Sequence, residues 1–313
     1  MAWIKQGRIF VPDGKNKHAL SHAQVPVPIH FPNENRIRIV FSSRDEQSRS
    51  RPFYVDVDDR NPKNILNICD KPLLELGELG TFDDCGVMPS WVVEHDNKHY
   101  MYYIGWNVRN TIPYHNAVGL AISDDNCQTF KKYSNGPLWD RDSIEPHYSG
   151  TSCVLIENNV WKNWYLSCTE WREVNGKVEP RYHIKYAESE NGIVWQRKGV
   201  VAIDYLNDSE AGIVKASVLK ENGTYKMWFS YRKIDGYRDN IDASYRIGFA
   251  ESNDGINWQR CEPQNPNCLD ISCEGWDSLM VEYPHVIRVS EKLMMFYNGN
   301  GFGKTGFGFA IEE

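Results

Sequence analysis

The 313-residue sequence has no apolar run approaching the length of a membrane-spanning helix, and its first ten residues, MAWIKQGRIF, hold no basic stretch followed by an apolar one. Neither a membrane span nor a signal peptide is expected, and a cytoplasmic location is. Basic residues are in the minority, 35 Lys and Arg against 42 Asp and Glu, for a net charge of −7. That excludes general nucleic-acid binding, which needs a basic footprint, but leaves room for a local basic pocket. The eight cysteines form no CxxC pair and keep no regular spacing, so reduced thiols fit better than a disulfide framework. No spacing demands a metal, and neither a metal nor a cofactor is expected. No segment is low-complexity, and no linker suggests a second domain.

What the sequence has is repetition. Residues 210–262 read as an apolar strand (Ile213–Leu219), a Gly turn, a second strand (Tyr225–Tyr231), a polar loop, a third strand (Tyr245–Glu251) and a tight turn into a fourth at Trp258. The third strand recurs as VGLAIS (118–123), HIKYAE (183–188), RIGFAE (246–251) and GFGFAI (306–311). Its alanines, Ala121, Ala187, Ala250 and Ala310, are 66, 63 and 60 residues apart, and Val55 lies 66 before Ala121. Five four-stranded antiparallel units predict a five-bladed β-propeller, all-β and a single domain over residues 1–313. The blades fall at about 15–65, 83–140, 141–205, 206–266 and 267–313 plus 3–12. The chain stops three residues past Ala310. Residues 3–12 resemble the fourth strand at 195–203, so the N-terminal strand is expected to join and close the last blade. Pro26 and Pro28 predict an irregular innermost strand in the first blade.

The turns at Ser123–Phe130, Ser189–Trp195 and Ser252–Trp258 look like the Asp-box hairpins of sialidases and are expected to be structural, with Ser and Asp side chains bonding the backbone. Chemistry is expected on the opposite face, where first strands begin and second strands end, with carboxylates from several blades: Asp84, Glu210 and Glu282. Paired carboxylates suit inverting glycoside hydrolysis, one as acid and one as base. Trp106 and Trp171 offer platforms for a sugar, or cap blade edges. Arg44, Arg172 and Arg232 follow three second strands and suggest an anionic group. Lys215, inside an inner strand, either faces a ligand or pairs with Glu210. His22, Gln24, Asp83 and His285 complete the candidate binding set, the histidines equally open to structural roles.

The residues FDDCGVMPS (82–90), YKMWFSYR (225–232), AESNDGINW (250–258) and EYPH (282–285) resemble the five-bladed propeller glycosidases, glycoside hydrolase families 32, 43, 68, 117 and 130, over nearly the whole chain. The repertoire also resembles uncharacterised propellers that occur with bacterial surface-polysaccharide genes. The resemblance implies cleavage or transfer at a glycosidic bond. Glu210 matches the general acid, Asp84 substitutes for the middle acid, and Glu282 stands in reserve. Families 32 and 43 carry an acid on the first inner strand, where this sequence reads SHAQVP (21–26). That departure fits the phosphorylases of family 130 better, since phosphate attacks there. Members of family 117 are thought to use a histidine as acid, which keeps His22 and His285 in view. The expected partner is a saccharide or sugar phosphate. The alternatives are a glycoside phosphorylase or transferase and a non-catalytic saccharide-binding propeller. Sugar identity and oligomeric state are not legible.

Overall fold

Alternating apolar residues broken by Asn-Gly and Asp-Gly turns fold as successive antiparallel hairpins. In the computed structural model, which describes residues 2–313, nearly all regular structure is strand. β1 (Trp3–Phe10) pairs with the last strand of the chain. Group one is β2 (Ser21–Phe31), β3 (Arg36–Arg44), β4 (Ser50–Asp58) and β5 (Ile65–Ile68). Group two is β6 (Gly86–His95), β7 (Lys98–Val108), β8 (Tyr114–Ser123) and β9 (Lys131–Lys132). Group three is β10 (Val154–Glu157), β11 (Val160–Val174), β12 (Lys177–Ser189) and β13 (Gln196–Ile203). Group four is β14 (Glu210–Glu221), β15 (Thr224–Lys233), β16 (Arg246–Ser252) and β17 (Gln259–Arg260). Group five is β18 (Glu282–Val289), β19 (Lys292–Asn298) and β20 (Phe307–Glu312), with β1 outermost.

Hydrogen bonding joins these groups into three sheets. Groups one and two meet at one parallel pair, Ser50 with Gly86, and groups three and four at another, Tyr182 with Gly212. Group five is a four-stranded sheet in the order β1-β20-β19-β18. The core lies between groups. Val27, Val40, Val87 and Met101 fill the space between one and two, Trp228, Phe249, Val286 and Met295 that between four and five, and Phe41, Phe53, Phe296 and Phe309 that between five and one. The first strands also touch one another, β2 with β6, β6 with β10, β14 with β18, and β18 with β2.

The irregularity foreshadowed by Pro26 and Pro28 is present and is not confined to β2. The register slips along β2 around Gln24, along β6 between Pro89 and Trp91, along β14 between Val214 and Ser217, and along β18 between Glu282 and His285. These are β-bulges, which bend a strand and re-aim its side chains. Four residues at them take positive φ, His22 (66°), Val25 (55°), Lys215 (56°) and Tyr283 (55°). Such a conformation costs a non-glycine residue about 1–3 kcal/mol and persists only where its surroundings enforce it.

The Asp-box turns are built from side chain to backbone. Ser123 Oγ accepts the Cys127 N–H at 2.9 Å, and Asp125 Oδ1 accepts the N–H groups of Gln128 and Thr129 at 3.0 and 2.9 Å. Ser189 with Asn191 and Ser252 with Asp254 repeat the pattern. Burial alone would raise the Asp125 carboxyl, but these bonds outweigh it and bring its pKa from 3.8 down to about 2. A depressed folded-state pKa contributes stability above about pH 4 that is lost as pH falls toward 2. Asp125 is exposed, so solvent screening discounts that shift, and Asp125→Ala is expected to cost about 1 kcal/mol at pH 7. The gap from wild type, measured by thermal unfolding, closes between pH 4 and pH 2; a gap independent of pH would refute this account of the turn.

Candidate active site

Two kinds of acid lie at or near the starts of the first strands. The first kind is engaged. Asp83 is buried and bonded to Lys132 Nζ at 2.7 Å and to the Tyr103 hydroxyl at 3.1 Å. Glu145 is held by Arg197 at 2.7 Å, Lys185 at 2.9 Å and Tyr165 at 2.8 Å. Both oxygens of Glu210 accept from Arg260, each at 2.8 Å, and Arg260 lies over the Phe229 ring. Asp277 meets Lys5 at 2.7 Å and Tyr297 at 3.0 Å. In groups two to five, then, an acid at the entry to the first strand is tied to a cation on the fourth strand, across an aromatic ring of the second. Asp83 and Glu210, expected as ligand-binding and proton-donating groups, are members of this repeated tie. Both carboxylate oxygens of Glu210 are occupied by the Arg260 guanidinium, which leaves neither free to meet a substrate. Asp84 is also placed structurally, accepting the Gly80 N–H at 2.9 Å, although its Oδ1 is buried without a partner among the described residues.

The second kind of acid is Glu282. It is fully buried on β18, and neither carboxyl oxygen has a hydrogen-bond partner among the described residues. Burial pushes its pKa well above the ordinary carboxylate value, opposed by the charge of Arg232. Two other bulged positions bring polar groups to the same meeting of first strands. Lys215 is fully buried with its Nζ unpartnered, 4.8 Å from the centre of the Trp91 ring. Burial, offset slightly by nearby Cys153, brings its pKa down to about 7. It does not pair with Glu210. His285 stacks on the same Trp91 ring at 4.0 Å with 5° between planes. Its Nδ1 is unpartnered, and burial, then Lys215, push its pKa well down, so the ring is neutral.

A cationic corner lies at the start of β2. Arg44 Nε donates to Gln24 Oε1 at 3.1 Å, and no carboxylate among the described residues is within 4.0 Å of its guanidinium. Burial, then the charges of Arg44 and Lys304, lower the His22 pKa to about 4. Lys304 follows the turn Asn300–Gly303, in which Phe302 has φ of 58°. Among buried arginines and lysines, Arg36, Arg38 and Arg51 meet carboxylates, whereas Lys215 and Arg232 do not.

Arg232 is enclosed rather than open. It lies across Gly212, stacks at 3.7 Å on Tyr237, and donates to the Tyr245 hydroxyl at 3.2 Å and the Pro180 carbonyl at 3.0 Å. The Tyr245 and Tyr182 hydroxyls bond each other. Arg232 thus holds a tyrosine cluster from behind. Trp171 joins that cluster against Tyr114 and Tyr148, with ring centres 5.4 and 5.5 Å apart. Trp106 stands apart; it covers Gly86, where any side chain would collide with the indole, and seals the seam between groups one and two. Arg172 lies away from the cluster, paired with Glu170 at 2.7 Å. The sequence reading passed over Trp91, Tyr283 and Lys304. A signal existed for Tyr283, since both it and Val25 precede a proline inside an inner strand.

No protein-family model matches the chain. Solved glycoside hydrolases share its fold. One superposes with a TM-score of 0.71 at 17% identity, covering 98% of this chain and 90% of the other. A thermostable family-43 glycoside hydrolase gives 0.66 at 17%, covering 95% and 90%. A third is a structure from the GH130 family, described as mannoside phosphorylases that include glycoside hydrolases targeting β-1,2 mannosidic linkages in Candida mannan; it gives 0.70 at 14%, covering 99% and 93%. The chain belongs to the family of two Mycobacterium tuberculosis proteins, the uncharacterized proteins Rv1502 of strain H37Rv and MT1551 of strain CDC 1551, each 36% identical over 313 residues and matched along the whole of both chains. No helix among the described residues is long and apolar enough to cross a membrane.

A buried, unpaired lysine opposes folding. Lys215→Met is expected to stabilise the protein by about 2–4 kcal/mol at pH 7. The unfolded lysine titrates at 10.5 and the folded one near 7, so unfolding takes up a proton between those values and wild-type stability rises across that window. The advantage of Met therefore shrinks from pH 7 to pH 10 in calorimetric melts. A variant less stable than wild type at both pH values would show that Lys215 has a stabilising partner.

Proposed function

We propose that the chain is a single-domain, five-bladed β-propeller enzyme that breaks a glycosidic bond in a charged or phosphorylated saccharide, with Glu282 as proton donor. The propeller reading is supported by the five antiparallel groups, the contact of β18 with β2, and the place of β1 outside β20. One observation carries the catalytic reading: Glu282 is a carboxyl group buried without a hydrogen-bond partner among the described residues, and its burial favours the neutral form. General acids are tuned in this way, by burial that raises the pKa toward the working pH. Glu282 takes the role first expected of Glu210. Arg44 and Lys304 supply positive charge for an anionic group on the substrate. Trp171 and Tyr114 offer ring faces to a sugar, and Lys215 and His285 line the floor through Trp91.

A second reading, phosphorolysis, is favoured by the count of acids. Inverting hydrolysis needs two working carboxyl groups about 6.5–9.5 Å apart, one of them activating water. Glu282 is the candidate acid with neither oxygen engaged, while Arg44 is a cation without a carboxylate partner. In phosphorolysis a phosphate oxygen attacks the anomeric carbon. The glycosidic oxygen leaves with the proton of Glu282, giving a sugar 1-phosphate and a free saccharide hydroxyl.

Product analysis with a panel of neutral, uronic and phosphorylated glycosides, with and without inorganic phosphate, tests both readings. Glu282→Gln is expected to lower kcat by about 10²–10⁴-fold while leaving substrate binding within a few-fold. Activity should fall as pH rises through the pKa of Glu282, and Arg44→Ala should raise KM for the anionic substrate or phosphate. Turnover that requires phosphate selects phosphorolysis. Full activity in Glu282→Gln, or saccharide binding with no cleavage across the panel, would defeat the catalytic assignment.

A further inference from the structure

The bulges divide β2, β6, β14 and β18 each into two ends. Glu282 sits where β18 begins; the far ends of the first strands enclose a separate cavity of about 500 Å³. Ile29, Phe31, Trp91, His99, His285 and Ile287 are among its walls. Its size falls within the usual range for small-molecule sites. Two features mark it as more than a surface dimple. His99 and His285 are each more than nine-tenths buried, and in each the Nδ1 has no hydrogen-bond partner among the described residues. Buried polar atoms are rarely left so, and each unmatched one asks for a partner. The two histidines come from different groups, β7 and β18, and both residues line this cavity.

We infer that this cavity, at the opposite end of the first strands from Glu282, is a second ligand site, built for an uncharged, hexose-sized saccharide or cyclic polyol. The lining selects that class. A neutral imidazole nitrogen can donate to or accept from a hydroxyl, as its tautomer allows. Burial lowers the pKa of both histidines, so they give an anion no charge to bind. The carboxylates of Glu34 and Glu94 also border the cavity and repel anions. Ile29, Phe31 and Ile287 give an apolar wall for the C–H face of a ring, leaving hydroxyls at its edge for the imidazoles. The site touches the catalytic region at one place, since the Trp91 ring that stacks on His285 also lies under Lys215 Nζ. A ligand bonded to His285 would fix that stack and hence the floor beneath Lys215. The inference does not depend on the cleavage chemistry.

Calorimetric titration with methyl hexosides, using inorganic phosphate as the charged control, tests it. Wild type should show a hexoside site that phosphate does not compete for. Ile287→Trp, which fills the cavity without altering either imidazole, and His99→Leu should each weaken that site at least tenfold with thermal unfolding still cooperative. Arg44→Ala should leave it unchanged. The inference is overturned if no methyl hexoside binds wild type, if Ile287→Trp binds as wild type does, or if binding disappears only in Arg44→Ala. Should His99→Leu fail to fold, Ile287→Trp alone decides the question.

Discussion

The centre of this protein depends on the crowding of its first strands. Strands brought side by side at one place cannot all stay flat and fully paired to their own hairpins. Each of β2, β6, β14 and β18 answers with a slip in register. A bulge frees backbone N–H groups, and a freed N–H inside a protein must find an acceptor. The acceptors come from neighbouring groups: Asn298 Oδ1 for Val25 at 2.7 Å, Thr151 Oγ1 for Lys215 at 3.1 Å, and Ser230 Oγ for Tyr283 at 2.8 Å. The same bonds stitch one group to the next and hold Val25, Lys215 and Tyr283 at positive φ. Strain, inter-group adhesion and the aim of the site's side chains are thus one device.

Against that background the two classes of buried charge separate cleanly. The acids at the strand entries are matched within hydrogen-bond reach by a lysine or arginine of the same group, and removing either partner would strand the other in a low-dielectric interior. Glu282 and Lys215 have no such match. Nothing in the fold requires them, since an apolar residue would sit more cheaply at either position. Groups that oppose folding and persist at the meeting point of strands are best understood through what they do to a ligand.

The fold was largely legible because its signals are local. Period-2 strands, Asn-Gly and Asp-Gly turns and the recurring alanines lie within hairpins, so no long-range knowledge is needed to see them. Asp83 and Glu210 were misread because their partners are remote; Glu210 and Arg260 are 50 residues apart, and Asp83 is 49 residues from Lys132. Yet a clue was present. An acid that recurs at the same place in four units serves what the units share, which is architecture. Glu282, Lys215 and His285 have no counterparts in the other groups. Trp91 escaped notice because an indole inside an apolar strand reads as core, and its contacts with Lys215 and His285 arise from two other groups.

The electrostatics of the site bear on how it would hold an anion. Lys215 near pKa 7 is poised between its charged and neutral forms, because burial opposes the charge and no carboxylate restores it. An anionic group placed close by would supply what the protein withholds and favour the protonated amine. Binding would then take up a proton, and the cost of charging Lys215 would be met only in the complex. Glu282 responds in the opposite sense, for an anion nearby makes its ionisation still harder and keeps the proton on the carboxyl. In the proposed mechanism an anionic ligand group would favour the charged amine at Lys215 and the protonated carboxyl at Glu282. A permanent carboxylate beside Lys215, or a permanent cation bonded to Glu282, would instead fix each in one state before the substrate arrived.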